Sequence, residues 1–178
     1  MALRVLILHG WNGSEPPHWQ DWLAKKLESE GIVVSFPQLP NKDHPDKDEW
    51  IAATLEEIER FKPNAVICHS LGCTLWFHLV NTYQLEGIEK LLLVAPPYNK
   101  TEIETIATFF PVETPKDLQA KRAMLVVSDD DPYLNMKQAG ELFQSLDIKT
   151  KILQEAGHIN SDSGFGPLPL AYEFLISE

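Results

Sequence analysis

Basic residues are in short supply. The 178-residue chain carries 15 Lys and Arg against 26 Asp and Glu, a formal charge of −11. That balance excludes the Lys- and Arg-rich surface that neutralises nucleic-acid phosphates, and it argues against docking on an anionic membrane. Cysteine is almost absent as well. Cys68 and Cys73 are the only two, too few for a disulfide framework. Long apolar runs are missing too. Residues 3–8 form a short one that breaks at His9-Gly10, too early for a signal peptide or a spanning helix. These absences together predict a cytoplasmic protein. There is no paired Cys/His spacing of a zinc site and no Gly-rich phosphate loop, so neither a metal nor an organic cofactor is expected.

What is present is an ordinary globular composition, 44% hydrophobic, at a length that suits one domain over residues 1–178. Short apolar runs at 3–8, 32–36, 65–68, 90–95, 123–128 and 148–153 read as strands. Most lack polar alternation, as expected of strands covered on both faces. Helix-spaced apolar residues lie between them: Trp19, Trp22, Leu23 and Leu27; Trp50, Ile51, Leu55 and Ile58; Leu71, Leu75, Leu79 and Val80; Met136, Ala139, Leu142 and Phe143; and Leu170, Phe174 and Leu175. Alternating strands and helices predict a six-stranded parallel sheet with right-handed crossovers and helices on both faces. Residues 36–48 and 95–121 read as long loops, the second with a helical turn near 102–109. In such a sheet ligands gather beyond the carboxyl ends of the strands.

Three of those strand ends carry chemistry. Cys68-His69-Ser70-Leu71-Gly72 follows the third strand and leads directly into a helix. A Ser at the apex of a strand–turn–helix, with small residues two positions to either side, is the nucleophile-elbow pattern. The competing reading is a Ser that simply caps the helix. An elbow would place the Leu71 amide where it can donate to a developing oxyanion. The turn after the first strand, His9-Gly10-Trp11-Asn12-Gly13, would supply a second amide, from Trp11 or from Asn12. After the fifth strand come Asp129, Asp130 and Asp131. Like charges crowd one another, so one is expected to point inward while the others stay solvated. After the last strand, His158 sits in a Gly-containing loop. Of the six histidines, His9 ends a strand, His18 begins a helix, His44 is in a loop and His78 lies within a helix, while His69 reads as a support for the elbow. Ser, then Asp, then His, each after its own strand, is the α/β-hydrolase succession.

These motifs resemble the small serine hydrolases related to retinoblastoma-binding protein 9, in particular their bacterial branch. The resemblance runs through Leu8-His9-Gly10-Trp11 with Trp19 and Trp22, His69-Ser70-Leu71-Gly72, Asp130-Asp131-Pro132-Tyr133, and Gly157-His158-Ile159-Asn160 followed by Ser163-Gly164-Phe165-Gly166. It implies a compact α/β-hydrolase fold without a cap, and the triad Ser70, Asp131 and His158, the Asp being the one directly before Pro. Two positions depart from the pattern. Cys68 replaces a Gly, and Asn135 stands where Pro is common. A Leu-x-Cys-x-Glu motif for retinoblastoma binding is not reproduced, because Leu71-Gly72-Cys73-Thr74-Leu75 ends in Leu.

The expected activity is hydrolysis of a small acyl ester, thioester or amide through an acyl-enzyme. Tyr98, Tyr133, Ile159 and Phe165 are expected to join Trp11 in lining an apolar substrate pocket. The alternative is a protein-interaction module that keeps the fold with little turnover.

Overall fold

The computed structural model describes residues 2–178. Six strands form one all-parallel sheet in the order β2-β1-β3-β4-β5-β6: β1 (Arg4–Leu8), β2 (Val33–Ser35), β3 (Ala65–His69), β4 (Lys90–Val94), β5 (Arg122–Ser128) and β6 (Lys149–Leu153). Helices α1 (Trp19–Ser29), α2 (Lys47–Phe61), α3 (Leu71–Thr82), α4 (Met136–Leu146) and α5 (Pro169–Ile176) make the crossovers and the C-terminal end. The connection from β4 to β5 contains only a 3-10 turn, Glu104–Phe109, and no inserted helical lid.

Strand pleating sorts the apolar side chains onto two faces. Leu6, Leu8, Val66, Cys68, Leu91, Leu93, Leu125 and Val127 face α2, α3 and α4. Val5, Ile7, Ala65, Ile67, Leu92, Val94, Met124 and Val126 face α1 and α5. Every residue of β3 is buried, which explains its unbroken apolar run. The edges differ from the expectation of two covered faces. β2 has no buried residue and neither does β6. Lys149 and Lys151 stand exposed on β6, a composition that discourages edge-to-edge pairing.

Helix starts follow from local polar groups. Asp46 caps α2, accepting from the Asp48 and Glu49 amides at 2.9 and 3.1 Å. Asn135 caps α4 and forms a reciprocal capping box with Gln138. The departure from Pro at this position thus supplies the start signal of the helix. Two helices begin without a side-chain cap: α5, which follows Leu168 and has Pro169 in its first turn, and α3, which begins at Ser70.

The chain runs from β1 outward to β2 and then returns to β3 on the other side of β1. The loops after β1 and β3 therefore diverge at a topological switch point, where a crevice opens beyond the strand ends.

Candidate active site

Ser70 holds φ 54° and ψ −122° at the junction of β3 and α3, a conformation that costs a non-Gly residue energy and is held by its surroundings. Its amide donates to Val94 O at 2.9 Å, and its carbonyl accepts from Cys73 N at 2.8 Å. The side chain does not cap the helix. It lies 2.7 Å from His158 Nε2 instead. Two glycines make this turn fit. A Cβ on Gly72 would lie 2.6 Å from Leu8 O, and one on Gly10 would lie 2.9 Å from Ser70 Cβ. The first and third strand-end loops are thus in backbone contact.

Cys68 lies two residues before the serine, fully buried among the apolar residues of the sheet. Burial pushes its thiol pKa well up, with a further push from Cys73. Burial also raises that of Cys73. Both thiols are held neutral, and neutral thiols are poor nucleophiles. Cys68→Gly is expected to keep kcat/KM within about tenfold, since the position demands smallness rather than sulfur. Loss of activity in Cys68→Gly, with activity retained in Ser70→Ala, would instead make Cys68 the nucleophile.

His158 Nδ1 lies 3.0 Å from both carboxylate oxygens of Asp131, whose side chain is almost fully buried. Asp131 also accepts from the Tyr133 amide at 2.9 Å. Serine, imidazole and carboxylate therefore form one hydrogen-bonded chain across the ends of β3, β5 and β6.

Asp129 and Asp130 are exposed but are not simply solvated. Asp129 Oδ1 accepts from Glu155 N at 2.7 Å. Asp130 Oδ1 accepts from Gly157 N at 2.7 Å and from Ser128 Oγ at 2.6 Å, and Ser128 Oγ accepts from Ala156 N at 3.0 Å. These bonds hold the Asp130 carboxyl pKa below its ordinary value, the Ser128 hydroxyl having the largest effect. Four consecutive residues, 128–131, thus tie down four consecutive residues, 155–158. The tied loop needs this support, because Glu155, Gly157 and Ile159 all have positive φ. The other side of the loop is also held. His69 Nε2 lies 3.0 Å from His158 O, Trp19 Nε1 donates to Ile159 O at 2.9 Å, and the His158 amide donates to Ser163 Oγ at 3.2 Å.

The loop after β1 separates the two amide candidates. Asn12 N donates to Lys42 O at 2.9 Å, so it is already engaged. The Trp11 and Leu71 amides donate to no group among the described residues. His9, read from the sequence as a mere strand end, has a part in this. Its Nε2 accepts from Leu39 N at 2.9 Å, which leaves the proton on Nδ1, 2.7 Å from Gly10 O. Burial lowers the His9 pKa and keeps the ring in this neutral form. Gly13 N donates to the same carbonyl. In a trans peptide the N–H points opposite the C=O, so fixing Gly10 O also fixes the direction of the Trp11 N–H.

Only part of the expected apolar pocket wall lies beside Ser70 and His158. Trp11 lines the cavity that contains Ser70 and His158. Tyr133 is exposed, with its ring centroid 4.6 Å from that of His158. Tyr98 lines a different cavity with Phe77, Val112 and Leu134. Ile159 corrects the expectation outright. Its side chain is fully buried in the core beside α1 and α5, on a backbone of positive φ. Phe165 packs against the same core. Among the described residues, no group of three or more His, Cys, Asp or Glu side chains converges on a metal position, and no helix is long and apolar enough to cross a membrane.

Comparison with known proteins places this geometry in context. Residues 5–177 match a family described as serine hydrolase. YdeN of Bacillus subtilis (strain 168) is 29% identical over 183 residues, spanning 99% of this chain and 96% of YdeN. The crystal structure of the B. subtilis ydeN gene product superposes with a TM-score of 0.85 at 24% identity, over 97% of this chain and 96% of that one. A monoacylglycerol lipase from Paleococcus ferrophilus superposes with a TM-score of 0.67 at 14% identity, over 87% and 85% of the two chains. These likenesses establish an α/β-hydrolase fold.

Proposed function

The chain belongs to the serine hydrolase family, and from that premise we propose that it hydrolyses small acyl esters, thioesters or amides with Ser70 as nucleophile, His158 as general base and acid, and Asp131 as the partner of the histidine. The observation that carries the assignment is the Ser70 Oγ to His158 Nε2 separation of 2.7 Å, with Nδ1 of the same ring 3.0 Å from Asp131. A proton on Nδ1, held by the carboxylate, leaves Nε2 free to accept from the serine.

The sequence of steps follows from these positions. Ser70 Oγ attacks the acyl carbon as its proton passes to His158 Nε2. The carbonyl π pair moves onto oxygen, and the Trp11 and Leu71 amides, which have no partner among the described residues, donate to that oxyanion. Collapse of the tetrahedral adduct expels the leaving group, which takes the proton from Nε2. Water then repeats the attack on the acyl-enzyme, with His158 again as base, and releases the acid. Asp131 stays ionised throughout and stabilises the imidazolium.

An acyl-enzyme leaves a kinetic signature. Mixing the protein with p-nitrophenyl acetate is expected to release a rapid burst of p-nitrophenolate stoichiometric with protein, followed by steady turnover, wherever deacylation is the slower step. Turnover that survives Ser70→Ala at half the wild-type rate would rule the assignment out.

A further inference from the structure

One exposed side chain beside the triad takes no part in the proton transfers. Tyr133 follows Asp131 by two residues and is 41% exposed. It does not line the cavity that holds Ser70. Its ring lies against the imidazole of His158 instead, with centroids 4.6 Å apart and planes tilted by 59°. That separation is contact range for an aromatic pair.

The backbone that carries the ring is fixed on both sides. Its N–H donates at 2.9 Å to Asp131 Oδ1, an oxygen that also lies 3.0 Å from His158 Nδ1. Its carbonyl accepts from Tyr98 N at 2.9 Å. The next residue, Leu134, is buried, and its amide donates to Asp131 O at 3.3 Å. One turn therefore sets both the Asp131 carboxylate and the Tyr133 ring. The His158 side chain is only 10% exposed and that of Asp131 only 1%. A hydrogen bond of this kind is stronger where water is kept away. A ring within about 6 Å also attracts a cation, and His158 becomes one at each proton transfer.

We infer that Tyr133 is a positioning residue: its ring covers the His158–Asp131 pair, keeps water from that hydrogen bond and stabilises the imidazolium. The inference rests on the reading of Ser70, His158 and Asp131 as the catalytic unit. It assigns the ring to the histidine and not to a substrate wall. Acylation and deacylation both pass through His158, so loss of the ring slows both steps alike and leaves KM unchanged.

The test compares wild-type protein with Tyr133→Ala and Tyr133→Phe. In Tyr133→Ala, kcat for p-nitrophenyl acetate and the rate constant for fluorophosphonate labelling of Ser70 are each expected to fall about tenfold, the size of a partly desolvated cation–ring contact. KM is expected to stay the same. Tyr133→Phe keeps the ring and is expected to restore both rates. The Nδ1 proton of His158 gives a direct reading. Its downfield NMR signal is expected in wild type and in Tyr133→Phe, and is expected to broaden by exchange with water in Tyr133→Ala. Undiminished kcat in Tyr133→Ala, a raised KM at constant kcat, or failure of Tyr133→Phe to restore the rates would each overturn the inference. So would a wild-type Nδ1 proton that exchanges with water too fast to be seen, a result that needs no variant. All four would leave Ser70 in place, provided that a fluorophosphonate still labels it in wild-type protein. Absence of both turnover and labelling in wild type would overturn the reading of Ser70, and the inference with it.

Discussion

Replacement of Ser70 by alanine is expected to lower kcat for ester hydrolysis by on the order of 10⁶, the loss seen when a triad nucleophile is removed from a serine protease. The nearest alternative nucleophiles in the chain around the elbow and the His158 loop are not available. Cys68 and Cys73 are buried and held neutral, and Ser163 Oγ is occupied, donating to Asn160 Oδ1 at 2.8 Å. Stability is expected to change little. The side chain makes no capping bond to α3, and alanine meets the same backbone strain at φ 54° that serine does. Steady-state rates and urea midpoints on the purified variant give both quantities. A large fall in stability alongside the lost activity would point to a structural role for the hydroxyl.

Asp131→Asn is expected to lower kcat by about 10⁴, with Asp129→Asn and Asp130→Asn losing much less. The cause is the direction of one proton. Asp131 accepts at His158 Nδ1 through both oxygens. An asparagine there turns one acceptor into an NH₂ donor. The imidazole then lowers its energy by moving its proton to Nε2, where it can no longer accept from Ser70, and the same change in serine proteases carries this penalty. At 129 and 130 the partners are backbone amides of the His158 loop and the Ser128 hydroxyl. An asparagine Oδ1 still accepts from each of them, so the loop stays tied down. Equal losses in all three variants would show that the carboxylates act as a charge cluster rather than through individual bonds.

Much of this architecture is legible in the sequence, for identifiable reasons. β1, β3, β4 and β5 are buried on both faces, so apolar residues run without interruption and mark the strands. Ser70, Asp131 and His158 each follow such a run or its edge-strand counterpart, and in a parallel sheet all strands end on the same edge, so their order alone brings them together. The parts that are not legible depend on tertiary partners. His9 bears on the Trp11 amide only because Leu39, thirty residues away, donates to its other nitrogen. Asp129 and Asp130 look solvated until β5 and β6 are paired, which brings residues 155–157 within reach of their oxygens. Ile159 belongs to a loop by its position in the chain, and only its tertiary packing shows that the side chain lies in the core. The exposure of β6 follows from its place at the edge of the sheet, which an apolar run alone does not reveal.

The most direct measurement is covalent. Purified protein treated with a fluorophosphonate probe, digested and sequenced by mass spectrometry, is expected to carry one phosphonyl group, on Ser70, with labelling abolished in Ser70→Ala and slowed by orders of magnitude in Asp131→Asn. A probe adduct on any other residue, or none on a protein that hydrolyses p-nitrophenyl acetate, would contradict the assignment of Ser70, His158 and Asp131 as the catalytic unit.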